Sequence, residues 1–269
     1  MSKDSLIKLD ALFTWEILFV KIKFEGPLFS KSASIQLGIS SIFLQRPSQL
    51  VMENIVSVQR EALLLKLILV RHGQTVWNRE KRAQGISDIE LSEHGRSQAE
   101  CLALSLRDEK IDRIISSPLK RAVETAEVIN RFHQLPIHTE DGLMELNMGD
   151  FEGIALGRMS HDHEEFLKRW VDDPASVVMP GGESLADLQR RSWGAVQPLI
   201  GKTGTTLLAS HNFTIMTILS MIKGVDLAGI RQFHVDVGSK TVVNFVEERG
   251  DVLLFNDVSH LKDCNDVDP

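Results

Sequence analysis

The 269-residue sequence predicts an α/β domain: a three-layer α/β/α sandwich around a largely parallel central sheet. Three observations predict it. Apolar runs of strand length recur at 66–70, 111–116 and 205–210, and each is followed by a stretch of helical length. Helix-start signals open several of those stretches. The composition, 43% hydrophobic and 25% charged, supplies a packed core and argues against a disordered or collagen-like chain. Strands alternating with helices need crossover connections, and these make a sheet parallel.

Each element has a local reason. Lys66-Leu-Ile-Leu-Val70 is a strand that ends at Arg71-His72-Gly73. Ser92 offers an N-cap to a helix reaching about Arg107. After the strand at 111–116, Ser117-Pro118 supplies an N-cap and a proline at the first helical position, opening a helix to about Phe132. A short extended piece at 136–139 precedes a glycine-punctuated loop through Gly153. Helices are expected near 160–171 and 184–200, the second opened by the capping-box-like Ser184-x-x-Asp187. A strand at 205–210 and a helix at 213–223 follow. Residues 240–247 and 251–257 form a hairpin turning at Arg249-Gly250.

Residues 1–65 differ from the rest. They carry a charge of +1, against −8 for the remainder. Within them, 26–52 hold six serines and no acidic residue, but that transit-peptide-like composition starts late and includes one arginine, Arg46. The segment is read as an accessory or disordered extension, or as an over-extended reading frame whose true start is Met52. The domain itself is placed at 66–261, followed by a polar tail at 262–269.

Composition also excludes function classes. A net charge of −7 argues against a dedicated nucleic-acid binder. No apolar run approaches the roughly 18 residues of a membrane helix, so no membrane partner is expected. The widely spaced Cys101 and Cys264 exclude a disulfide scaffold and a cysteine-rich zinc site, and are read as inert thiols in a cytoplasmic protein. Gly201-Lys-Thr203 has the end of a P-loop, but Val196 stands where that motif needs glycine. Asn212-Phe-Thr214 is a glycosylation triplet without a secretory signal. His161 and His163 lie two apart on an expected helix and do not share a face, so they are read as a solvated polar surface, with no metal.

The chemistry gathers at strand ends. Arg71 and His72 follow one strand, His211 follows another, and Arg121 lies in the first turn of the helix after Pro118. Ligands of open α/β sheets bind outside the carboxyl ends of the strands. Helix N-termini and arginine forks both favour anions, so the expected ligand is anionic and phosphorylated.

Leu69-Val-Arg-His-Gly-Gln-Thr-Val-Trp-Asn78 resembles the RHG signature of the histidine phosphatase (phosphoglycerate mutase-like) superfamily. The resemblance continues through Gln84-Gly85, Leu91-Ser-Glu-His-Gly-Arg96, Ser116-Ser-Pro-Leu-Lys-Arg-Ala-Val-Glu-Thr-Ala126, Leu143-Met-Glu145, Gly149-Asp-Phe-Glu-Gly153, Gly182-Glu-Ser184 and Ser210-His-Asn212. It covers about 66–261, with the landmarks in order. It implies a phosphomonoester hydrolase acting on a small phosphorylated metabolite, with His72 as the nucleophile. Arg71, Asn78, Arg121 and His211 would hold the phosphoryl oxygens, with Gln84 and Asn212 completing that set. Glu145 would protonate the leaving oxygen and then activate water, so its surroundings must oppose the effect of the arginines. Arg71 and Arg121 should depress the acidity constant of His72 and keep a ring nitrogen free to attack. The arginine pocket calls for no metal or cofactor.

Two rivals share these residues: a cofactor-dependent phosphoglycerate mutase and a non-catalytic phospho-ligand-binding module. The family's mutases carry a long insertion after the acid glutamate, whereas here Glu145 and His211 are 66 positions apart. Residues 146–185 are expected to line the pocket mouth. Phe233-His-Val-Asp236 resembles α-ribazole phosphatases of cobalamin synthesis, diffusely. The sequence names no single substrate and assigns no oligomeric state.

Overall fold

The computed structural model describes residues 64–263. The readings placed on the extension, other than its last two residues, and on the end of the tail therefore lie outside the described residues. Six strands form one sheet in the order β3-β2-β4-β1-β5-β6. β1 (Leu65–Arg71), β2 (Arg113–Ser116), β3 (Ile137–Thr139) and β4 (Gly204–Ser210) run parallel, and β5 (Lys240–Val246) and β6 (Arg249–Asp257) add an antiparallel hairpin beside β1. The expected α/β class and largely parallel sheet stand, and the sheet is mixed.

Both faces of the parallel strands are covered, which is why β1 is apolar almost throughout. Leu65, Leu67 and Leu69 join one buried cluster with Leu208, Val243 and Phe245. Ile68 and Val70 join the opposite one with Ile114, Leu207 and Ala209. α1 (Val76–Arg79) follows β1. α2 (Glu93–Leu106) and α3 (Lys120–Asn130) cover the second face. α4 (Leu156–Asp162), α5 (Glu164–Asp172), α6 (Leu185–Val196) and α7 (Asn212–Lys223) build the first. α8 (His260–Asp263) packs on α2.

Several boundaries differ from expectation for identifiable reasons. The helix expected at 160–171 is two helices, broken at His163, whose backbone (φ −135, ψ 38) is not helical. The helix from 184 ends at Val196, and the next turn is a short 3₁₀ segment containing Pro198, which has no N–H to continue the ladder. The hairpin turns at Glu247-Glu248, since Val246 pairs with Arg249. Gly250 serves close packing instead: a Cβ there would lie 2.9 Å from Ile222 and 3.0 Å from Phe245. Cys101, expected as a free thiol, is disulfide-bonded. Among the described residues no helix is long and apolar enough to cross a membrane.

Candidate active site

Register brings the chemistry together. Arg71 pairs with Ser210 across β1 and β4, so His72 and His211 leave adjacent strands side by side, their ring centroids 5.1 Å apart. β2 flanks β4 on its other edge and delivers Ser117. Gly73 is dictated by the approach of α2, because a Cβ would lie 2.3 Å from the Gly95 carbonyl oxygen.

His72 is buried, and its Nδ1–H donates to the Gly73 carbonyl at 2.7 Å, which leaves the lone pair of the neutral ring on Nε2. Its pKa lies well below the ordinary 6.5. Burial is the largest cause, the charges of Arg121 and Arg71 add to it, and the Gly73 carbonyl opposes them. The arginines therefore act as expected, but second to desolvation. His211 is lowered the same way, again by burial first and Arg121 next. Its Nδ1 accepts from Arg121 Nε at 3.2 Å, so Nε2–H donates to Ser117 Oγ at 2.7 Å.

That contact corrects the sequence reading of Ser117. Leu119, not Ser117, is the N-cap of α3, and it makes no side-chain cap bond. The Ser117 hydroxyl oxygen accepts from His211 at 2.7 Å and, more weakly, from the Leu119 N–H at 3.3 Å.

Arg121 is fully buried in the first turn of α3, where its pKa is lowered to about 10 by desolvation, against the raising effect of Glu145, Asp88 and Glu152. It stays charged at neutral pH. Its guanidinium donates to the carbonyls of Gly85 (2.7 Å) and Ser87 (2.8 Å) as well as to His211. Arg71 donates to the Val235 carbonyl, while its Nε is buried with no partner among the described residues.

Glu145 is held by the start of α7. The N–H groups of Leu146 (2.8 Å), Phe213 (3.1 Å) and Thr214 (3.3 Å) donate to Oε1. Oε2 receives only the longer Phe213 contact at 3.2 Å and is the oxygen left for a proton.

A cavity of about 420 Å³ opens over these groups. Arg71, His72, Asn78, Gln84, Glu145 and Asn212 line it. Arg121 and His211 do not line it; they form the buried layer behind His72. From the segment 146–185 come Met148, Leu156, Met159, Leu167, Trp170 and Val171. His161 pairs with Asp162, and His163 packs edge-on against Phe151.

Residues 67–258 match the family described as the histidine phosphatase superfamily, branch 1. The chain belongs to this superfamily. It is 36% identical over 200 residues to phosphoserine phosphatase 1 of Hydrogenobacter thermophilus, covering 74% of this chain and 95% of that one. It is 33% identical over 186 residues to a probable phosphoglycerate mutase of Yersinia pestis, covering 68% and 86%. Among solved structures, the YhfR protein of Bacillus stearothermophilus superposes with a TM-score of 0.70 at 30% identity, covering 73% of this chain and 99% of that one. A mycobacterial glucosyl-3-phosphoglycerate phosphatase superposes with a TM-score of 0.66 at 28% identity, covering 71% and 98%. The expected class, a phosphoric monoester hydrolase of the histidine phosphatase superfamily, is borne out.

Three residues of this histidine phosphatase site escaped the sequence reading. Thr75 caps α1: its N–H donates to Asn78 Oδ1 at 3.1 Å and its hydroxyl donates to Gln84 Oε1. Both amide oxygens are thereby occupied and both amide NH2 groups are left as donors. The Thr75-x-x-Asn78 spacing was a legible capping signal. Glu152 accepts from the N–H groups of Ile86 and Ser87, both at 2.8 Å, and so holds the loop whose carbonyls bind Arg121. Arg191 of α6 donates to the carbonyls of Gly142, Met144 and Glu145 and pairs with Glu183 at 2.6 Å.

Proposed function

We propose that this chain hydrolyses monoesters of small phosphorylated metabolites through a phosphohistidine formed on His72. The observation that carries the reading is the His72 ring, neutral, anchored through Nδ1, and lining a cavity that Glu145 also lines. In the first step Nε2 attacks phosphorus, an N–P bond forms and the ester P–O bond breaks. The leaving alkoxide takes the proton from Glu145 Oε2. Water then attacks phosphorus while giving a proton to the Glu145 carboxylate, the N–P electron pair returns to Nε2, and inorganic phosphate departs.

In this reading Arg71, Asn78, Gln84 and Asn212 hold phosphoryl oxygens from the cavity wall. The unpartnered Nε–H of Arg71 and the amide donors aimed by Thr75 support that role. Arg121 and His211 complete the set from behind His72, where their fixed charge and dipole stabilise negative charge growing on the phosphoryl group. No metal or cofactor enters the scheme.

Brief exposure to a labelled monoester should leave acid-labile phosphate on His72. His72→Ala should abolish both adduct and turnover, and an adduct persisting in that variant refutes the assignment.

A second reading, return of the phosphoryl group to a sugar acid, is favoured by the 33% identity to a probable phosphoglycerate mutase. Against it, only 66 positions separate Glu145 from His211, too few for the long covering insertion of the mutases. Supplied with a phosphoglycerate and its bisphosphorylated cofactor, the enzyme should release phosphate. Isomerisation faster by orders of magnitude would reverse the choice.

A further inference from the structure

We infer that the cavity selects monoesters whose alcohol part is apolar and carries no ammonium group, and that Trp170 and Phe213 recognise that part. The inference rests on the phosphatase reading, which seats the phosphoryl group at His72.

Beyond the phosphoryl end the wall is mostly apolar, with Arg82 and Arg231 as its charged members. Trp170 and Phe213 meet edge-on, ring centroids 5.6 Å apart, and Leu167 lies beside them in the lining. At the mouth, Leu156 of α4 is 50% exposed and Val171 of α5 is 58% exposed, so apolar surface there stays in water unless a ligand covers it. The volume, about 420 Å³, falls in the range that receives ligands larger than a three-carbon ester.

Charge points the same way. Among the described residues that line the cavity, Glu145 is the one carboxylate, and backbone N–H groups from Leu146, Phe213 and Thr214 already occupy its Oε1. An ammonium group on the substrate has no anionic partner of its own. It also meets the cation of Arg231, 5.7 Å over the Trp170 ring and bonded to the Trp170 carbonyl, whereas Arg82 in the same lining is paired with Glu80 at 2.6 Å. A buried ammonium without a partner is strongly disfavoured, whereas an aromatic or aliphatic body gains the contacts of Trp170 and Phe213. Phosphoserine, the substrate in the name of the 36% identical relative, can set its carboxylate toward Arg231 but leaves its ammonium without an anionic partner, and so fits this cavity less well than an uncharged alcohol part.

The test uses the full chain and two esters with alkoxide leaving groups, 2-phenylethyl phosphate and O-phosphoserine. We expect kcat/KM to favour the phenylethyl ester by at least about tenfold. Leu156→Ser and Val171→Ser, both at exposed positions, should each narrow that preference about fivefold through the KM of the phenylethyl ester. Equal or better turnover of phosphoserine, with His72 labelled, overturns this inference alone, as does a preference that neither variant changes. No labelling of His72 by either ester overturns it together with the phosphatase reading.

Discussion

Replacing Arg191 by methionine should disable the acid function proposed for Glu145 without touching substrate. Arg191 uses all five of its N–H donors: NH1 on the carbonyls of Gly142 (3.0 Å) and Met144 (2.6 Å), NH2 on Glu145 O (2.7 Å) and Glu183 (2.6 Å), and Nε on Glu183 (3.1 Å). Glu183 in turn accepts from the Asn147 N–H at 2.9 Å, so both flanks of the acid are tied to one guanidinium. Methionine keeps the unbranched stem as far as the position of Nε and loses every donor. A hydrogen bond from a charged group contributes about 1.5–3 kcal/mol. The Arg191 and Glu183 side chains are 25% and 17% exposed, so water replaces part of what is lost. Three orphaned carbonyls and one orphaned carboxylate then cost about 4 kcal/mol in all, or about 10 °C in Tm for a domain of this size.

The catalytic effect has a signature that instability lacks. A carboxyl displaced by about 1 Å should slow the step it serves by about a hundredfold. That step is protonation of the leaving oxygen, so the loss should be large for an alkyl phosphate. It should be small for 4-nitrophenyl phosphate, whose phenolate leaves unaided. Single-turnover labelling of His72 with both esters, at a temperature where the variant is folded, reads the difference. Arg191→Lys, which keeps the charge but not the planar fork, should fall between. An equal loss with both leaving groups, or an unchanged Tm, refutes the argument.

Other expectations follow from the same geometry. Thr75→Val removes the hydroxyl that occupies Gln84 and caps α1, so KM should rise severalfold and stability should fall by about 1 kcal/mol in urea unfolding. His72 and His211 have folded pKa values well below 6.5, so the unfolded chain binds more protons as pH falls through that value. Their contribution to stability is complete above about pH 6.5 and is lost below it at about 1.4 kcal/mol per pH unit for each. Urea unfolding at pH 7, 6 and 5 should show that slope, and His211→Asn should roughly halve it. Gly73→Ala forces a Cβ to 2.3 Å from the Gly95 carbonyl oxygen, and a melt should show a loss of about 1–3 kcal/mol together with reduced His72 labelling.

What was legible in the sequence divides by the kind of signal. Buried parallel strands announce themselves as apolar runs, so β1 and β4 and the histidines leaving them were readable before any coordinates. Arg121 was readable because its helix opens with recognisable chemistry, although the cap was assigned to the wrong residue. Ser117 has the composition of an N-cap, but its shorter bond is to His211 at 2.7 Å and it keeps only a 3.3 Å contact with the N–H of Leu119, the actual N-cap. A local rule yielded to a tertiary contact. The turn between β5 and β6 misled in the same way, since Gly250 is dictated by packing on Ile222 and Phe245 and the reversal falls on Glu247, which takes φ +55.

Thr75 was legible from its spacing to Asn78, but Glu152 and Arg191 were hidden for a different reason. Their partners are mainly main-chain groups far along the chain, and one carbonyl looks like any other in a sequence. A nucleophile betrays itself by residue type and place. A positioning residue differs from a surface cation or a loop carboxylate only once the fold shows which N–H or C=O it meets. In this site those residues hold the loops around His72 and Glu145. Arg121 donates to the Gly85 and Ser87 carbonyls, Glu152 fixes the loop that carries them, and Arg191 fixes the loop that carries Glu145. The precision the chemistry needs therefore resides largely in residues that periodicity and motif reading pass over.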